Sequence, residues 1–238
     1  MSDTVVVYWG HVALPTKQTH VNLLWKPPVN IATTLPKGSR QKNNNYHACS
    51  GFKSFSKNTY TFIHPIDYEV GLSGSVNSPL KNNDPLNLWV LSPNAFDNQY
   101  RIDYDFGWFF FAEEPVVIQQ TPPFLHKTTA HTTATMPFGS FDISKWFRPI
   151  ILTYLLWENE STIKVTKGDP AIYLNFLTDK KVILKQFEVT EEIMSLSLQS
   201  VQFKNLIPFE PLSSLYDRFT SSKRNLMLSK LIKRNLLE

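Results

Sequence analysis

Short apolar segments of strand length, bounded by turn residues, recur along the chain as far as residue 187. Their spacing, with short turns between most neighbours, is typical of an antiparallel sandwich or barrel and not of repeated βαβ units. We therefore predict a mainly β protein, an antiparallel β-sandwich for which a jelly roll is one fitting topology. The predicted strands are 4–9, 20–25, 59–64, 86–91, 107–112, 115–119, 148–157, 162–165, 171–177 and 181–187.

Two segments, 108–112 and 150–157, carry apolar residues at nearly every position instead of alternating with polar ones. Successive side chains of a strand point to opposite faces, so such a run predicts burial on both faces. The sandwich should therefore have a second covering layer, supplied by another sheet, a helix or a partner subunit.

The pattern changes after residue 188, which divides the chain into a sandwich domain, 1–188, and a basic helical segment, 189–238. Thr190 followed by two acids is a favourable helix start, so 190–202 is predicted as a short helix, with a strand as the alternative. Apolar residues then recur at helical spacing over 212–237 without Pro or Gly, which predicts an amphipathic helix. The segment thus holds one or two helices.

Two polar stretches, 30–56 and 72–85, are predicted to be long loops of the sandwich domain, and no helical periodicity is evident before residue 189. Gly168 and Asp169 suit a tight hairpin turn, because glycine accepts a positive φ and Asp can close an Asx turn. We interpret this turn as structural.

Charge is distributed unevenly along the chain, whose formal net charge is +4. Residues 1–60 carry seven Lys or Arg against one acid, 61–188 carry ten against fourteen, and 189–238 carry seven against five. Basic flanks around a mildly acidic centre suit contact with an acidic partner or with the centre of a neighbouring copy. A homo-oligomer is therefore one expected assembly.

Cys49 is the only cysteine, so the chain can form no internal disulfide and no Cys-rich zinc site. The first residues lack the basic and apolar regions of a signal peptide, and no run of about 18 apolar residues predicts a transmembrane segment. We expect a soluble protein of a reducing compartment that is not secreted.

The best candidates for a metal site are two histidines of a Thr-rich loop and acids on nearby segments, namely His126, His131, Asp103, Asp105 and Glu113. Two imidazoles and one carboxylate can form a facial triad for Fe(II), which gives a jelly-roll oxygenase as an alternative function. A loop rich in Thr and Ala holds ligands poorly, however, so we expect no bound metal and no cofactor.

Motifs for other catalytic chemistry are missing from the sequence. It contains neither the Gly-x-Ser-x-Gly elbow of many hydrolases nor a Gly-rich phosphate-binding loop. His64 and Asp67 can pair across a bend, but no third member of a catalytic set is evident. These observations favour a protein without enzymatic activity.

Partner binding is assigned to the predicted C-terminal helix, through both apolar and basic side chains. The apolar residues can pack on the chain's own sandwich or on a partner. The cations can bind nucleic acid, which is a second alternative function, or an anionic membrane. The candidate residues are Leu215, Phe219, Leu226, Arg218, Lys230, Lys233 and Arg234.

Six short motifs within residues 46–188 are Cys49-Ser-Gly-Phe52, Lys57-Asn-Thr-Tyr60, Pro65-Ile-Asp-Tyr68, Gly107-Trp-Phe-Phe-Phe-Ala-Glu-Glu-Pro115, Gly139-Ser-Phe-Asp-Ile-Ser-Lys-Trp-Phe-Arg-Pro149 and Lys167-Gly-Asp-Pro170. Through them the sequence resembles conserved proteins, of unknown function, from marine contractile-tailed phages. The resemblance implies a phage context, in the host cytoplasm during infection or in the virion, but supplies no catalytic or binding residues. We therefore expect a phage accessory or virion-associated protein that binds or assembles without catalysis, as a homo-oligomer or with other phage proteins.

Overall fold

The computed structural model of the chain describes residues 3–12, 24–35, 48–72, 76–77, 88–91, 100–206 and 211–237. Among these residues strands predominate and helices gather near the C-terminus, which confirms the predicted fold class. The strands are β1 (Thr4–His11), β2 (Val29–Asn30), β3 (Thr59–Ile63), β4 (Tyr68–Gly71), β5 (Val76–Asn77), β6 (Leu88–Leu91), β7 (Arg101–Phe111), β8 (Val117–Thr121), β9 (Ala134–Thr135), β10 (Gly139–Asp142), β11 (Ile150–Leu156), β12 (Thr162–Val165), β13 (Pro170–Leu177) and β14 (Lys181–Gln186).

The described strands form three sheets. Sheet A has six strands in the order β14-β1-β7-β11-β9, with β6 also paired to β7. Sheet B has the order β10-β8-β13-β3-β2, and the small sheet C has the order β12-β4-β5. The described strand pairs are antiparallel except for β1 and β14, which run parallel, from Thr4 opposite Lys181 to Trp9 opposite Gln186.

The main core lies between sheets A and B. Strand β7 contributes Tyr104, Trp108 and Phe110 to this core, and Phe62 of β3 stacks on Trp108 with ring centroids 4.0 Å apart. Of the predicted strand 20–25, the structure describes only residues 24 and 25, which do not form a strand. Trp25 is buried against Trp108. Aromatic rings of this size bury enough apolar area to dominate the stability of such a core.

The opposite face of sheet A is covered by helices, which confirms the predicted second layer for the apolar run at 108–112. The same prediction is wrong for 150–157, because burial alternates along β11 and Ile151 and Trp157 are exposed. Phe109 and Phe111 alternate with Trp108 and Phe110 along β7 and pack into a second buried cluster with residues of the C-terminal helices. The covering helices are α4 (Glu191–Leu206), α5 (Leu212–Ser221) and α6 (Lys223–Arg234), and three shorter helices precede them: α1 (Ile31–Thr34), α2 (Ser50–Lys57) and α3 (Ala130–Thr133).

The C-terminal segment therefore contains three helices, where one or two were predicted. Residues 190–202 are helical, and the Thr190 hydroxyl caps α4 by accepting a hydrogen bond from the Ile193 N–H at 3.4 Å. The predicted single helix over 212–237 is interrupted at Ser222, whose backbone is extended and whose hydroxyl caps α6 by accepting from the Arg224 N–H. Serine at a cap offsets the loss of continuous helical hydrogen bonds, so the chain can turn there.

The expectation of no helix before residue 189 is wrong, because α1 lies within the predicted loop 30–56 and α2 spans its last residues and Lys57. Serines and a glycine in α2 have low helix propensity and conceal its apolar positions. Phe55 holds the helix against sheet B by packing on Phe124 and Tyr173, with centroid distances of 5.6 and 6.3 Å. The centre of that predicted loop, and most of 72–85, lie outside the described residues.

The turn at Gly168 is structural, but it is not the hairpin predicted from the sequence. Gly168 has a positive φ of 94°, as expected for a glycine turn. Its flanking strands belong to different sheets, β12 to sheet C and β13 to sheet B, so the turn carries the chain from one sheet to another. The backbones of Gly168 and Asp169 bond to that of His64, which fixes this bend at the end of β3.

Candidate functional site

The inner side of the C-terminal helical layer is part of the protein core. Phe219, Leu228 and Ile232 are buried with Tyr8 and other aromatic residues of sheet A. Leu215 is half-buried. Of the apolar residues predicted to bind a partner, Phe219 is therefore committed to the chain's own sandwich.

The outer side of the layer exposes apolar residues, and Leu226 is the clearest of them at 68% exposed. Leu198 of α4 and Met227 of α6 are also exposed, as is the cation Lys230. We call Leu198, Leu226, Met227 and Lys230 the outer helical surface. Apolar side chains beside a cation suit contact with a protein. Burial of the apolar side chains stabilises the contact, and the cation can select an acidic neighbour.

Two of the predicted partner-binding cations are engaged within the chain. Lys233 donates to Glu113 at 2.7 Å, and Arg234 donates to Glu192 of α4 at 2.9 Å. Burial raises the pKa of the Glu113 carboxyl, but hydrogen bonds from Lys233 and Ser229 outweigh it, and the pKa is lowered overall. Arg218 is exposed on α5. The ion pairs reduce the positive charge that a phosphate backbone would meet at the end of α6.

His126 lies against Tyr173 of sheet B, whereas His131 lies in α3, which contacts β9 and β12. His126 Nδ1 is hydrogen-bonded to the hydroxyl of Tyr173, and His131 Nδ1 lies 2.7 Å from the Thr128 hydroxyl. Burial lowers the pKa of both imidazoles, and the nearby negative charge of Asp169 opposes this effect in both. Burial thus favours the uncharged form of both side chains.

The predicted carboxylate ligands do not join these histidines. Asp103 lies on the helix-facing side of sheet A, where it pairs with Arg101 at 2.9 Å and accepts from Thr153 at 2.7 Å. Glu113 binds α6, and the side chain of Asp105 lies outside what the structure describes. Within the described residues, no group of three His, Cys, Asp or Glu side chains is placed to hold a metal ion.

The carboxylate whose charge acts on both histidines is that of Asp169, which the sequence predicted only as a turn residue. Its carboxylate accepts a hydrogen bond from the Thr129 backbone N–H at 3.0 Å, so it anchors the loop that carries His126 and His131. No local sequence signal links these residues, because the contact arises only when the β12–β13 bend meets the loop after β8. The structure gives Asp169 a positioning role in this loop.

The predicted pair of His64 and Asp67 has different partners. His64 is buried between Trp25 and Tyr68, and burial lowers its pKa to about 3. Asp67 accepts a hydrogen bond from the Lys167 backbone N–H at 2.7 Å. Each residue is thus explained by the packing of the sheets around β3.

The β14 edge of sheet A is closed by the chain itself. Asn58, which is buried between α2 and β3, accepts from the Val182 N–H at 3.1 Å and donates to the Thr178 and Lys180 carbonyls at 2.9 and 2.8 Å. The Tyr60 hydroxyl donates to the Val182 carbonyl at 3.4 Å. Near the other end of the strand, the Leu237 N–H donates to the Gln186 carbonyl at 2.9 Å. We call this the closed edge.

The β10 edge of sheet B is treated differently. In the part of the chain that the structure describes, β10 pairs with β8 alone, from Gly139 opposite Gln120 to Asp142 opposite Val117. Phe138, directly before the strand, is 72% exposed. We call Phe138 and β10 the open edge.

The described residues contain no helix that is both long enough and apolar enough to cross a membrane. The outer helical surface and the open edge both have the chemistry of a protein contact. No protein-family model and no curated protein matches this chain.

Proposed function

We propose that this protein is a non-enzymatic binding and assembly protein, a phage accessory or virion-associated component. The exposure of Leu226, Met227 and Leu198 on the outer helical surface carries this proposal. Their helices are fixed on sheet A by buried residues on the inner side, so they present these side chains on a rigid layer. The resemblance of residues 46–188 to proteins of contractile-tailed phages supports the phage context.

The partner favoured by this surface is another protein of the same particle or assembly. Burying apolar side chains in a protein contact that excludes water is favourable by about 25 cal/mol of free energy per Å² of apolar area. The ion pairs of Lys233 with Glu113 and Arg234 with Glu192 favour a protein over a nucleic acid, because they partly neutralise the basic end of α6.

The test uses the phage that encodes this chain. The protein is expected in mass spectra of density-purified virions or of purified assembly intermediates. A phage carrying Leu226→Ser with Met227→Ser should incorporate clearly less of the protein, whereas Lys167→Gln, at an exposed turn position outside the outer helical surface, should change incorporation little. A protein found in neither particle, or incorporated equally with both variants, would contradict the proposal.

Two measurements on the purified full chain separate the alternatives. About one Fe per chain by elemental analysis, lost in His126→Ala or His131→Ala, would favour an oxygenase. Tight, salt-sensitive binding of duplex DNA, lost when Lys230, Lys233 and Arg234 become Gln, would favour nucleic-acid binding. Under the proposed function, neither result is expected.

A further inference from the structure

We propose that the open edge pairs with the open edge of a second copy of this chain, so that two antiparallel β10 strands join two B sheets about a two-fold axis. The inference concerns a surface separate from the outer helical surface and does not depend on the function proposed for it. Its basis is the difference between the main-chain groups of β10 and those of β14, an edge strand of sheet A.

In an antiparallel ladder, alternate residues direct their N–H and C=O groups away from the paired strand. Gly139–Asp142 has β8 on one side, and the described residues supply no second strand on the other. Such groups match the main chain of an added strand, which is how sheet edges recruit extended segments. The chemistry of the edge therefore specifies a β-strand as the occupant.

The side chains of β10 lack the charges that usually protect an edge. The edge strand β12 of sheet C carries Lys164, and β14 carries Lys181 and Lys185. The only charge on β10 is Asp142, whose carboxylate is held by the N–H and hydroxyl of Ser144 at 2.9 and 2.7 Å. These bonds hold the Asp142 carboxylate beside its own chain, and no other charged side chain of the strand opposes the approach of an identical edge.

A second copy is the occupant that this edge fits best, because a strand paired antiparallel to itself is self-complementary. Each donor of one copy meets the matching acceptor of the other across the two-fold axis, as in isologous dimers. Pairing about Ser140 also brings Phe138 of each copy beside the strand of the other, which removes exposed aromatic surface from water. The contact area is small, so dimerisation should depend on concentration.

Sedimentation of the full chain tests the pairing. The dimer fraction should rise with concentration, and Ser140→Lys should raise the dimer dissociation constant about tenfold or more by placing like charges opposite each other. Ser195→Lys adds the same charge to an exposed position of α4 and should leave the constant unchanged. The melting temperature of both variants should stay near that of the unsubstituted chain, which separates lost pairing from lost folding.

Crosslinking distinguishes self-pairing from other contacts. With Cys49→Ser removing the native thiol, Ser140→Cys should form a disulfide-linked dimer under mild oxidation, since opposite residues across the axis have Cβ atoms about 5 Å apart. Ser195→Cys in the same background should not. A chain that stays monomeric at high micromolar concentration, a dimer insensitive to Ser140→Lys, or equal crosslinking at both positions would overturn the proposal.

Discussion

The closed edge and the open edge are both strand edges of one sandwich, yet they differ in where their main-chain groups find partners. At the closed edge, main-chain groups of Val182 and Gln186 in β14 bond to Asn58, Tyr60 and Leu237 of the same chain. At the open edge, the described residues provide β10 with a neighbour on one side only. The comparison shows that this fold covers one edge with specific hydrogen bonds, whereas the described residues give the other edge no second strand.

The difference is also one of sequence distance. Asn58 reaches residues 120 to 124 positions away, so it joins the start of sheet B to the end of sheet A. The hydrogen bonds of β10 join residues much nearer in the chain, in β8 and in the Ser144 turn. Closing the first edge is therefore part of completing the fold, whereas the described hydrogen bonds of the second edge do not reach distant parts of the chain.

The largest expected effect comes from opening the closed edge with Asn58→Ala. This substitution leaves the buried Val182 N–H and the part-buried carbonyls of Thr178 and Lys180 without their partner. Each unsatisfied group costs about 1–3 kcal/mol, so the free energy of unfolding should fall by about 3 kcal/mol or more. Urea denaturation measures this loss, and light scattering should detect new association through the uncovered edge.

Asn30→Ala is the matched control, because Asn30 also makes three hydrogen bonds, to Ala32, Ser56 and Lys57, at a more exposed site. Water can replace those bonds, so a smaller loss is expected. Equal losses for the two variants would show that burial of Asn58 is not what stabilises the edge.

Acid is expected to lower the free energy of unfolding through His64, the residue that directly follows β3. Burial lowers the pKa of His64 to about 3, below its unfolded value, so the unfolded chain binds the proton more tightly. Stability should therefore be highest above about pH 6.5 and fall toward pH 3, by at most about 1.4 kcal/mol per pH unit from this group. Denaturation at several pH values measures the slope.

His64→Phe should flatten this slope, because the aromatic ring remains and the titrating group is lost. His126→Gln should flatten it less, since that imidazole is only half-buried. An unchanged slope in His64→Phe would mean that other groups cause the acid sensitivity.

Much of the sandwich was predictable because its strands are short apolar runs, and the apolar series at 108–112 indicated a second covering layer. The closed edge was not predictable, since Asn58 is a single polar residue after a helix that the sequence concealed. Asp169 was likewise assigned to a turn because its contact with Thr129 joins segments 40 positions apart. Local patterns thus predict elements, whereas the contacts that join distant elements depend on topology.

A smaller effect is expected from shortening the chain after Asn235. The deletion removes the hydrogen bond from the Leu237 N–H to the Gln186 carbonyl and the bridge between Leu236 and Phe187. Loss of one main-chain bond and of partly buried apolar surface should cost about 1–2 kcal/mol. Thermal unfolding measures this cost. Leu237→Ser keeps the backbone N–H and should melt close to the unsubstituted chain, unless the exposed side chain and not the backbone protects the edge.

The smallest expected effect concerns the turn between β7 and β8, which is tied to both sides of sheet A by adjacent acids. Glu113 binds Lys233 and Ser229 of α6, whereas Glu114 binds Lys180 in the turn that Asn58 holds at the closed edge. Both acids are nearly half exposed, so solvent screening should limit each contribution to less than about 1 kcal/mol.

The folded-state pKa of Glu113 is lowered, so its contribution should be present above the unfolded pKa and disappear as pH falls through the folded value. Glu113→Gln should therefore lower the unfolding free energy slightly at pH 7 and not at pH 3, and Lys233→Met should add little to it in a double-mutant cycle. Glu114→Gln is the control, because Glu114 pairs with Lys180 and not with α6. Its coupling energy with Lys233→Met should be near zero. Coupling of equal size for both acids would show that charge in general, and not the specific bond of Glu113 to α6, holds the helix on the sheet.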